Sequence, residues 1–221
     1  MLVLCGTGKL RRGTKRVFIL SKDIEKGKAS EPDEDFETIR RVLEGDVEAF
    51  SVLVRKHQKK MLNTAYRMTG DYEDACDIVQ DSFIAAFKAL RDFRGDAVFS
   101  TWLTGIVMNR ARNVLKQRKS ARGSLVAIGV KGEDGPGLDI ASGGESAFER
   151  LSAREVQAGV QECIGTLDEE FREVLVLRDI QEYSYSEISS MLKLAEGTVK
   201  SRLFRAREAL RDCLRKKLGG L

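Results

Sequence analysis

Residues 184–211 read SYSEISSMLKLAEGTVKSRLFRAREALR, and this stretch predicts two helices joined by a tight turn. Ser184 followed by Glu187 is a capping-box pattern, which marks a helix start because each side chain hydrogen-bonds the other residue's free amide. A short helix, a turn and a longer helix form the arrangement of a helix-turn-helix motif. The apolar residues spaced to form a small core between the two helices are Ile188, Leu192, Leu194, Val199 and Leu203.

The second helix of this motif is strongly basic. Residues 193–217 contain nine Lys or Arg and three Asp or Glu. A solvated amphipathic helix accounts for part of this pattern, but an αα-hairpin in a bundle does not require positive charge concentrated on its second helix. We therefore interpret the motif as DNA-binding, with Arg suited to guanine and Lys or Ser to phosphates and base edges. The residues best placed for such contacts are Lys200, Ser201 and Arg205.

Apolar residues recur at helical spacing along most of the chain and predict an all-α protein. One such run covers residues 50–65, a second covers 75–90 and a third begins near Phe99. The two prolines, Pro32 and Pro136, lie outside these runs.

Residues 120–146 interrupt the helical periodicity. They contain seven glycines and Pro136, a composition that disfavours helix and favours a flexible connector. A stretch of this length without periodicity is unusual inside one compact domain. We therefore predict two small helical domains joined by a flexible linker. The predicted parts are an N-terminal extension (1–35), which is a disordered basic arm or a misassigned start, a helical domain (36–119), the linker (120–148) and a second helical domain (149–217).

Composition excludes several classes of function. His57 is the only histidine and lies among basic residues with no nucleophile beside it, and no phosphate-binding loop or dinucleotide motif occurs. The sequence thus predicts neither an enzyme nor a protein with a metal or cofactor.

No apolar run approaches the roughly 20 residues of a membrane-spanning helix, and the N-terminus lacks the charge order of a signal peptide, so we expect a cytoplasmic protein. Four widely spaced cysteines are expected to pack as small apolar residues: Cys5, Cys76, Cys163 and Cys213.

The first helical domain contains a strongly acidic segment. Residues 71–82 hold five acids and no base. Acids in the first turn complement the helix dipole, but the dipole does not require acids farther along the helix. A cluster of Asp77, Gln80 and Asp81 would repel DNA and therefore favours a protein partner.

The segment after the acidic helix combines aromatic, amide and basic side chains. Residues 93–100, FRGDAVFS, predict a loop, and the helix that follows places four polar residues on one face. Single-stranded nucleic acid binds to such a mixture because bases stack or enter pockets while cations follow phosphates. For Phe99 and Trp102, core packing is the alternative role. The four polar residues are Asn109, Arg112, Asn113 and Lys116.

Three segments, in this order, resemble the extracytoplasmic-function (ECF, group 4) sigma factors of the bacterial sigma-70 family. They are DIVQDSFIAAFKAL (77–90), FRGDAVFSTWLTGIVMNRARN (93–113) and YSYSEISSMLKLAEGTVKSRLFRAREALR (183–211). The resemblance covers about residues 36–117 and 150–215. It implies a promoter-specificity subunit of RNA polymerase, often linked to stress responses, that reads the −35 element with sigma region 4 and melts the −10 element with sigma region 2.

The resemblance also implies partners and contact residues. The partners are bacterial core RNA polymerase, through its β′ clamp helices and β flap, promoter DNA, and an anti-sigma factor, which in this family is often membrane-bound. Residues matching the core-binding helix are Asp77, Gln80 and Asp81. Residues matching the −10 contacts are Arg94, Phe99, Trp102, Asn109, Arg112, Asn113 and Lys116. Residues matching the −35 recognition helix are Thr198, Lys200, Ser201, Arg202, Phe204 and Arg205.

The alternative to a sigma factor is a two-domain helix-turn-helix regulator that binds duplex DNA as a dimer, independently of polymerase. Three positions depart from the family pattern. Gly105 lies in the middle of a predicted helix, where glycine costs about 1 kcal/mol. Asp168 replaces a common proline and is expected to act as an N-cap. Lys193 occupies a turn position where glycine is favoured and a positive φ is expected.

Overall fold

The computed structural model describes residues 34–124 and 147–218, and within these ranges it contains helices and turns but no β-strand. This confirms the all-α prediction. Most of the predicted linker and N-terminal extension lies outside the described residues. The helices are α1 (Phe36–Glu44), α2 (Phe50–Thr69), α3 (Tyr72–Ala89), α4 (Phe99–Ser124), α5 (Ala147–Thr166), α6 (Glu169–Leu175), α7 (Tyr185–Leu192) and α8 (Glu196–Leu218). Two 3₁₀ turns (Val47–Ala49 and Leu90–Asp92) precede α2 and follow α3, and a π turn (Val176–Ile180) extends α6.

The first domain is built from α1 to α4, with α2, α3 and α4 packed against one another. Gly70 ends α2 in a left-handed conformation (φ 73°), and the Asp71 side chain then accepts a hydrogen bond from the amide of Asp74 at 2.9 Å to begin α3. The aligned apolar faces supply fully buried side chains. Those of largest volume are Leu53, Met61, Met68, Leu90, Phe99, Leu103 and Met108.

The second domain contains α5 to α8, and α7 and α8 form the expected helix-turn-helix. The capping box is present: the amide of Ser184 donates to the Glu187 carboxylate at 2.8 Å, and the amide of Glu187 donates to the Ser184 hydroxyl at 3.2 Å. Lys193 ends α7 at φ 54°, in the left-handed region that its position predicts. Asp168 occupies the N-cap position of α6, but its side chain makes no capping bond, contrary to the expectation.

Two cysteines depart from the expectation that the four pack as small apolar residues. Cys163 on α5 and Cys213 on α8 form a disulfide with a Cα–Cα separation of 5.7 Å. The prediction was therefore wrong for this pair, because sequence distance does not reveal which helices become neighbours. Cys76 is free, and Cys5 lies outside the described residues.

The two domains pack directly against each other. The hydroxyls of Thr104 on α4 and Tyr183, the residue before the α7 cap, lie 2.7 Å apart, and Tyr183 is buried. A guanidinium nitrogen of Arg172 on α6 donates to the carbonyl of Met68 on α2 at 2.6 Å. We call this contact between the two domains the closed arrangement. The sequence did not indicate whether the domains are in contact or apart.

Gly105 lies in the interior of helix α4, and its substitution tests how much this glycine lowers the stability of the first domain. A Cβ built at Gly105 would meet no atom within 4 Å, and glycine costs about 1 kcal/mol in a helix interior. We expect Gly105→Ala to raise the free energy of unfolding by about 0.5–1 kcal/mol in urea titration. Gly45→Ala is the matched control because its Cβ is equally unobstructed but its φ is 113°. It should be destabilising, and stabilisation by both variants would contradict the argument.

Candidate nucleic-acid and protein interfaces

The three predicted protein-binding residues share one exposed face of α3. Asp77, Gln80 and Asp81 are all exposed, and Ile84, one turn further on, leaves 46% of its surface accessible. Asp81 accepts a hydrogen bond from Arg110 of α4 at 2.9 Å, whereas Asp77 forms no ion pair within the described ranges. Ile84 was not among the predicted contact residues, although its spacing from Gln80 and Asp81 places it on the same helical face.

Two other acids of the segment stabilise the first domain itself, whereas Glu73 is exposed. Asp71 caps α3, and Asp74 forms an ion pair with Arg118 of α4 at 2.5 Å. Burial raises the pKa of the Asp74 carboxyl, and the charge of Arg118 acts in the opposite direction. Asp71 and Asp74 at the start of α3 are thus engaged within the domain, whereas the acids farther along the helix lie on an exposed face.

An apolar groove adjoins the exposed face of α3. It has a volume of about 910 Å³ and lies mainly between α2 and α3, with Gln80 on its border. Phe50 and Phe87 pack edge to face there with centroids 5.0 Å apart, and Phe87 remains 39% exposed. Val47, at 58% exposure, extends this apolar surface. Apolar area beside carboxylates is typical of a surface that binds protein.

An aromatic cluster of Phe93, Phe99 and Trp102 packs where the exposed loop of residues 94–98 joins the start of α4. Arg94 is exposed, but Phe99 is fully buried, with its ring 5.5 Å from His57 and 5.8 Å from Trp102. This corrects the assignment of Phe99 as a DNA-contacting side chain, because no part of it is accessible. Trp102 is half-buried against Phe93, at a centroid distance of 5.0 Å.

The only histidine of the chain has a structural position. His57 is buried, and its Nε2 lies 2.6 Å from a carboxylate oxygen of Asp35. The second oxygen of Asp35 accepts from Lys56 at 2.8 Å, and this hydrogen bond raises the pKa of Lys56. The pair joins the start of α1 to α2 beneath the aromatic cluster.

The polar face of α4 is divided between solvent and the second domain. Asn109, Asn113 and Lys116 are exposed. Arg112 instead donates from Nε to Glu173 of α6 at 2.7 Å, and Glu173 is only 5% exposed. The bond to Glu173 raises the pKa of Arg112, so this cation is held by the second domain.

A charged cleft of about 520 Å³ surrounds this ion pair. On one side lie Arg112 and Lys119 of α4, and on the other lie carboxylates of α6. Lys119 donates to Glu169 at 3.4 Å. The α6 carboxylates therefore neutralise part of the basic surface that the sequence assigned to DNA.

Helix α8, the predicted recognition helix, exposes most of the residues predicted to contact DNA. Lys200, Ser201 and Arg205 are exposed, and Phe204 is 64% exposed. Thr198 is half-buried, and its carbonyl accepts from the Ser201 hydroxyl at 3.0 Å.

Arg202 differs from its neighbours on α8. Its side chain is 25% exposed and forms an ion pair with Glu170 of α6 at 2.5 Å. Arg202 thus stabilises the contact between α6 and α8 within the second domain, and its contact with DNA stays a prediction.

Glu173 and the exposed apolar surface near α3 were not predicted from the sequence. A signal for Glu173 exists, since it is an isolated acid in the apolar run FREVLVL (171–177), where a charge requires a partner. Across 34–124 and 147–218, no group of three or more His, Cys, Asp or Glu could hold a metal ion. In the same residues, no helix is long and apolar enough to cross a membrane.

The fold is that of a two-domain helical protein with a helix-turn-helix in its second domain. The family model Sigma-70 region 2 matches residues 53–121, and Sigma-70, region 4 matches residues 157–210. The chain is 37% identical over 185 residues to the RNA polymerase sigma-H factor of Pseudomonas aeruginosa, covering 82% of this chain and 94% of that protein. It is 37% identical over 175 residues to the ECF RNA polymerase sigma-E factor of Escherichia coli K12, covering 78% and 90%. The chain therefore belongs to the ECF sigma factors of the sigma-70 family.

Solved structures with the same fold include two complexes. CnrH in complex with the cytosolic domain of CnrY is 30% identical, with a TM-score of 0.57 over 82% of this chain and 97% of that one. The sigma factor RpoE in complex with the anti-sigma factor NepR from Bartonella quintana is 20% identical, with a TM-score of 0.58 over 75% and 96%, a likeness of fold. Sigma factors are transcription initiation factors and not enzymes, in agreement with the sequence analysis.

Proposed function

We propose that this ECF sigma factor divides its work among three surfaces. The exposed face of α3 binds core RNA polymerase, α8 reads the −35 element, and α4 with its preceding loop holds the opened −10 element. The observation that carries this proposal is the separation of exposed charge: carboxylates on α3, and cations on α8 and α4. The polymerase performs the chemistry, and the chain supplies promoter specificity.

The α3 face suits a helical protein partner. Asp77 and Asp81 supply negative charge, while Ile84 and the groove beside Gln80 supply apolar area. Charge complementarity accelerates association and fixes orientation, and apolar burial supplies affinity. We assign this face to the β′ clamp helices of core polymerase and expect the second domain to meet the β flap.

The −10 contacts that remain accessible are Arg94, Trp102, Asn109, Asn113 and Lys116. Amides and the indole suit unpaired bases, and the cations suit phosphates. Binding the unpaired strand better than the duplex shifts the promoter toward the open state, since a ligand shifts an equilibrium by its differential affinity. Promoter melting by this domain requires no catalytic group.

The −35 contacts that remain accessible are Thr198, Lys200, Ser201, Phe204 and Arg205. Arg205 suits a guanine edge, Lys200 and the two hydroxyls suit phosphates or base edges, and Phe204 suits the methyl group of thymine. All five lie in the N-terminal half of α8, the part that enters the major groove in helix-turn-helix proteins.

The closed arrangement is incompatible with full use of the −10 surface. Glu173 forms an ion pair with Arg112, and Glu169 accepts a hydrogen bond from Lys119. These two carboxylates therefore lie where phosphates would bind. Promoter binding therefore requires the second domain to leave α4. We propose that an anti-sigma factor, anchored at the membrane, favours the closed form, and that the chain works in the cytoplasm with RNA polymerase.

Gel filtration and run-off transcription test this function. The chain should co-elute with bacterial core polymerase and then initiate transcription from a subset of promoters in a genomic library. The alternative regulator would protect a palindromic site by itself. Protection without polymerase, together with failure to co-elute, would overturn the proposal.

Substitution of Arg205 tests −35 recognition. A bidentate contact to guanine discriminates by about 1–3 kcal/mol, so we expect Arg205→Ala to reduce the preference for the native −35 sequence by roughly 5- to 150-fold. Competitive transcription by holoenzyme on native and altered −35 templates measures this preference. Arg207→Ala is the matched control because Arg207 lies on the same helix but forms an ion pair with Asp179 at 2.6 Å. An unchanged preference in the Arg205 variant would contradict the assignment.

A further inference from the structure

The disulfide joins the two ends of the −35-binding domain. Cys163 lies on α5 and Cys213 near the end of α8, at a sequence separation of 50. Their Cα–Cα separation of 5.7 Å is near the centre of the range for disulfides. Glu162 and Lys217 form an ion pair between the same two helices. The two half-cystines are therefore held together by an established helix–helix contact.

The two cysteines differ in access to solvent. Cys163 is fully buried, whereas Cys213 is partly exposed. A reagent in solution therefore reaches Cys213 first, and Cys163 is the neighbour that completes the bond. Disulfides in intracellular bacterial proteins are rare, and those that occur are usually transient and redox-sensing.

We propose that Cys163 and Cys213 form a reversible redox site that sets the stability of the −35-binding domain. Hydrogen peroxide is the oxidant: the Cys213 thiolate attacks one peroxide oxygen, the O–O bond breaks, and a sulfenic acid and water form after protonation. The Cys163 thiol then attacks the sulfenic sulfur and releases a second water. Two thiols and one peroxide thus give one disulfide and two waters, and a dithiol reductant returns both thiols.

The cross-link matters because of what it encloses. The segment between the two cysteines contains α6, α7 and the DNA-contacting half of α8, including Lys200 and Arg205. Closing so long a loop restricts the unfolded chain and favours the folded domain. The segment also contains Glu173 and Tyr183, which contact the first domain. Oxidation therefore stabilises both the recognition motif and its docking surface.

Thiol counting on the full chain tests the pairing. The sequence has four cysteines, so denatured protein should show four reactive thiols after dithiothreitol and two after mild peroxide treatment. A Cys5→Ala/Cys76→Ala double variant keeps only Cys163 and Cys213. It should show two reactive thiols after dithiothreitol and none after peroxide. Peptide mapping should recover residues 163 and 213 in one cross-linked fragment. Retention of all four thiols after peroxide would overturn the proposal.

Thermal unfolding tests the consequence. We expect the oxidised chain to melt about 5–15 °C above the reduced chain. Cys213→Ser should remove this redox dependence, and the matched Cys76→Ser control should retain it. If Cys213→Ser fails to fold, the comparison between the oxidised and reduced forms of the natural chain still decides the outcome. Equal melting temperatures for the four-thiol and two-thiol forms would contradict the stabilising role.

The link to promoter recognition rests on the proposed function. In run-off transcription near the melting temperature of the reduced chain, oxidised holoenzyme should retain −35-dependent activity that reduced holoenzyme loses. Absence of promoter-dependent activity in both forms would count against the proposed function alone. Equal activity in the two forms, with the melting difference present, would overturn the functional part of the redox proposal.

Discussion

Reversal of the two exposed charges on α3, in the variant Asp77→Lys/Asp81→Lys, is expected to abolish binding to core polymerase without unfolding the protein. Both carboxylates are exposed, and neither belongs to the cap or to the Asp74–Arg118 pair that fixes the first turn. Loss of a charge partner at an interface costs about 2–5 kcal/mol, and reversal adds repulsion. We therefore expect the dissociation constant to rise at least ~100-fold in a fluorescence titration of core polymerase.

The matched control carries the same change of charge at the same spacing on another helix. Glu208 and Asp212 are four residues apart on α8, as Asp77 and Asp81 are on α3, and both are exposed next to Arg211. Glu208→Lys/Asp212→Lys should leave polymerase affinity within a few-fold of the natural chain. Normal assembly of the α3 variant, or equal loss in both variants, would show that α3 is not the specific contact. Circular dichroism melts establish that each variant is folded.

Features encoded by neighbouring residues could be predicted from the sequence. The capping box at Ser184 and Glu187 needs only a three-residue spacing, and the left-handed Lys193 follows from the geometry of the turn between two helices. The exposed face of Asp77, Gln80 and Asp81 follows from helical periodicity, since the apolar residues of α3 select the opposite face. Local signals of this kind do not depend on how the domains meet.

Features that depend on distant partners could not be predicted. Arg112 and Arg202 have the pattern of exposed cations, yet each is held by a carboxylate of α6. The burial of Phe99 depends on His57 and on α2 arriving at the same place. The disulfide likewise requires the ends of α5 and α8 to become neighbours. In each case one helix carries the side chain, and a helix far away in sequence determines its role.

The second large effect is expected for Glu173→Gln, which removes a contact of the closed arrangement. The substitution preserves side-chain volume but removes the charge that holds Arg112 at 2.7 Å. A hydrogen bond between charged groups contributes about 1.5–3 kcal/mol, so the closed-to-open ratio should fall by roughly 10- to 150-fold. Because binding to an occluded surface is weakened by the fraction of closed protein, the variant should bind a single-stranded −10 oligonucleotide more tightly. Fluorescence anisotropy with the full chain measures this gain, and small-angle scattering measures the expansion.

Two further variants separate domain opening from a change in net charge. Glu170→Gln removes the same charge from the same helix, but Glu170 pairs with Arg202 inside the second domain. It should leave oligonucleotide affinity and molecular dimensions nearly unchanged. Tyr183→Phe alters no charge but removes the hydroxyl that lies 2.7 Å from Thr104 across the domain contact. It should therefore also raise the affinity, by a smaller factor.

The pattern across the three variants decides whether the second domain masks the −10 surface. Gains from Glu173→Gln and Tyr183→Phe, with none from Glu170→Gln, require an effect that follows the domain contact and not the charge of α6. Equal gains from the two glutamine variants would instead indicate simple relief of repulsion between carboxylates and phosphates. If none of the three changes the affinity or the scattering, the contacts of Arg112 and Thr104 do not limit access to α4. In that case DNA alone would displace the second domain at little cost.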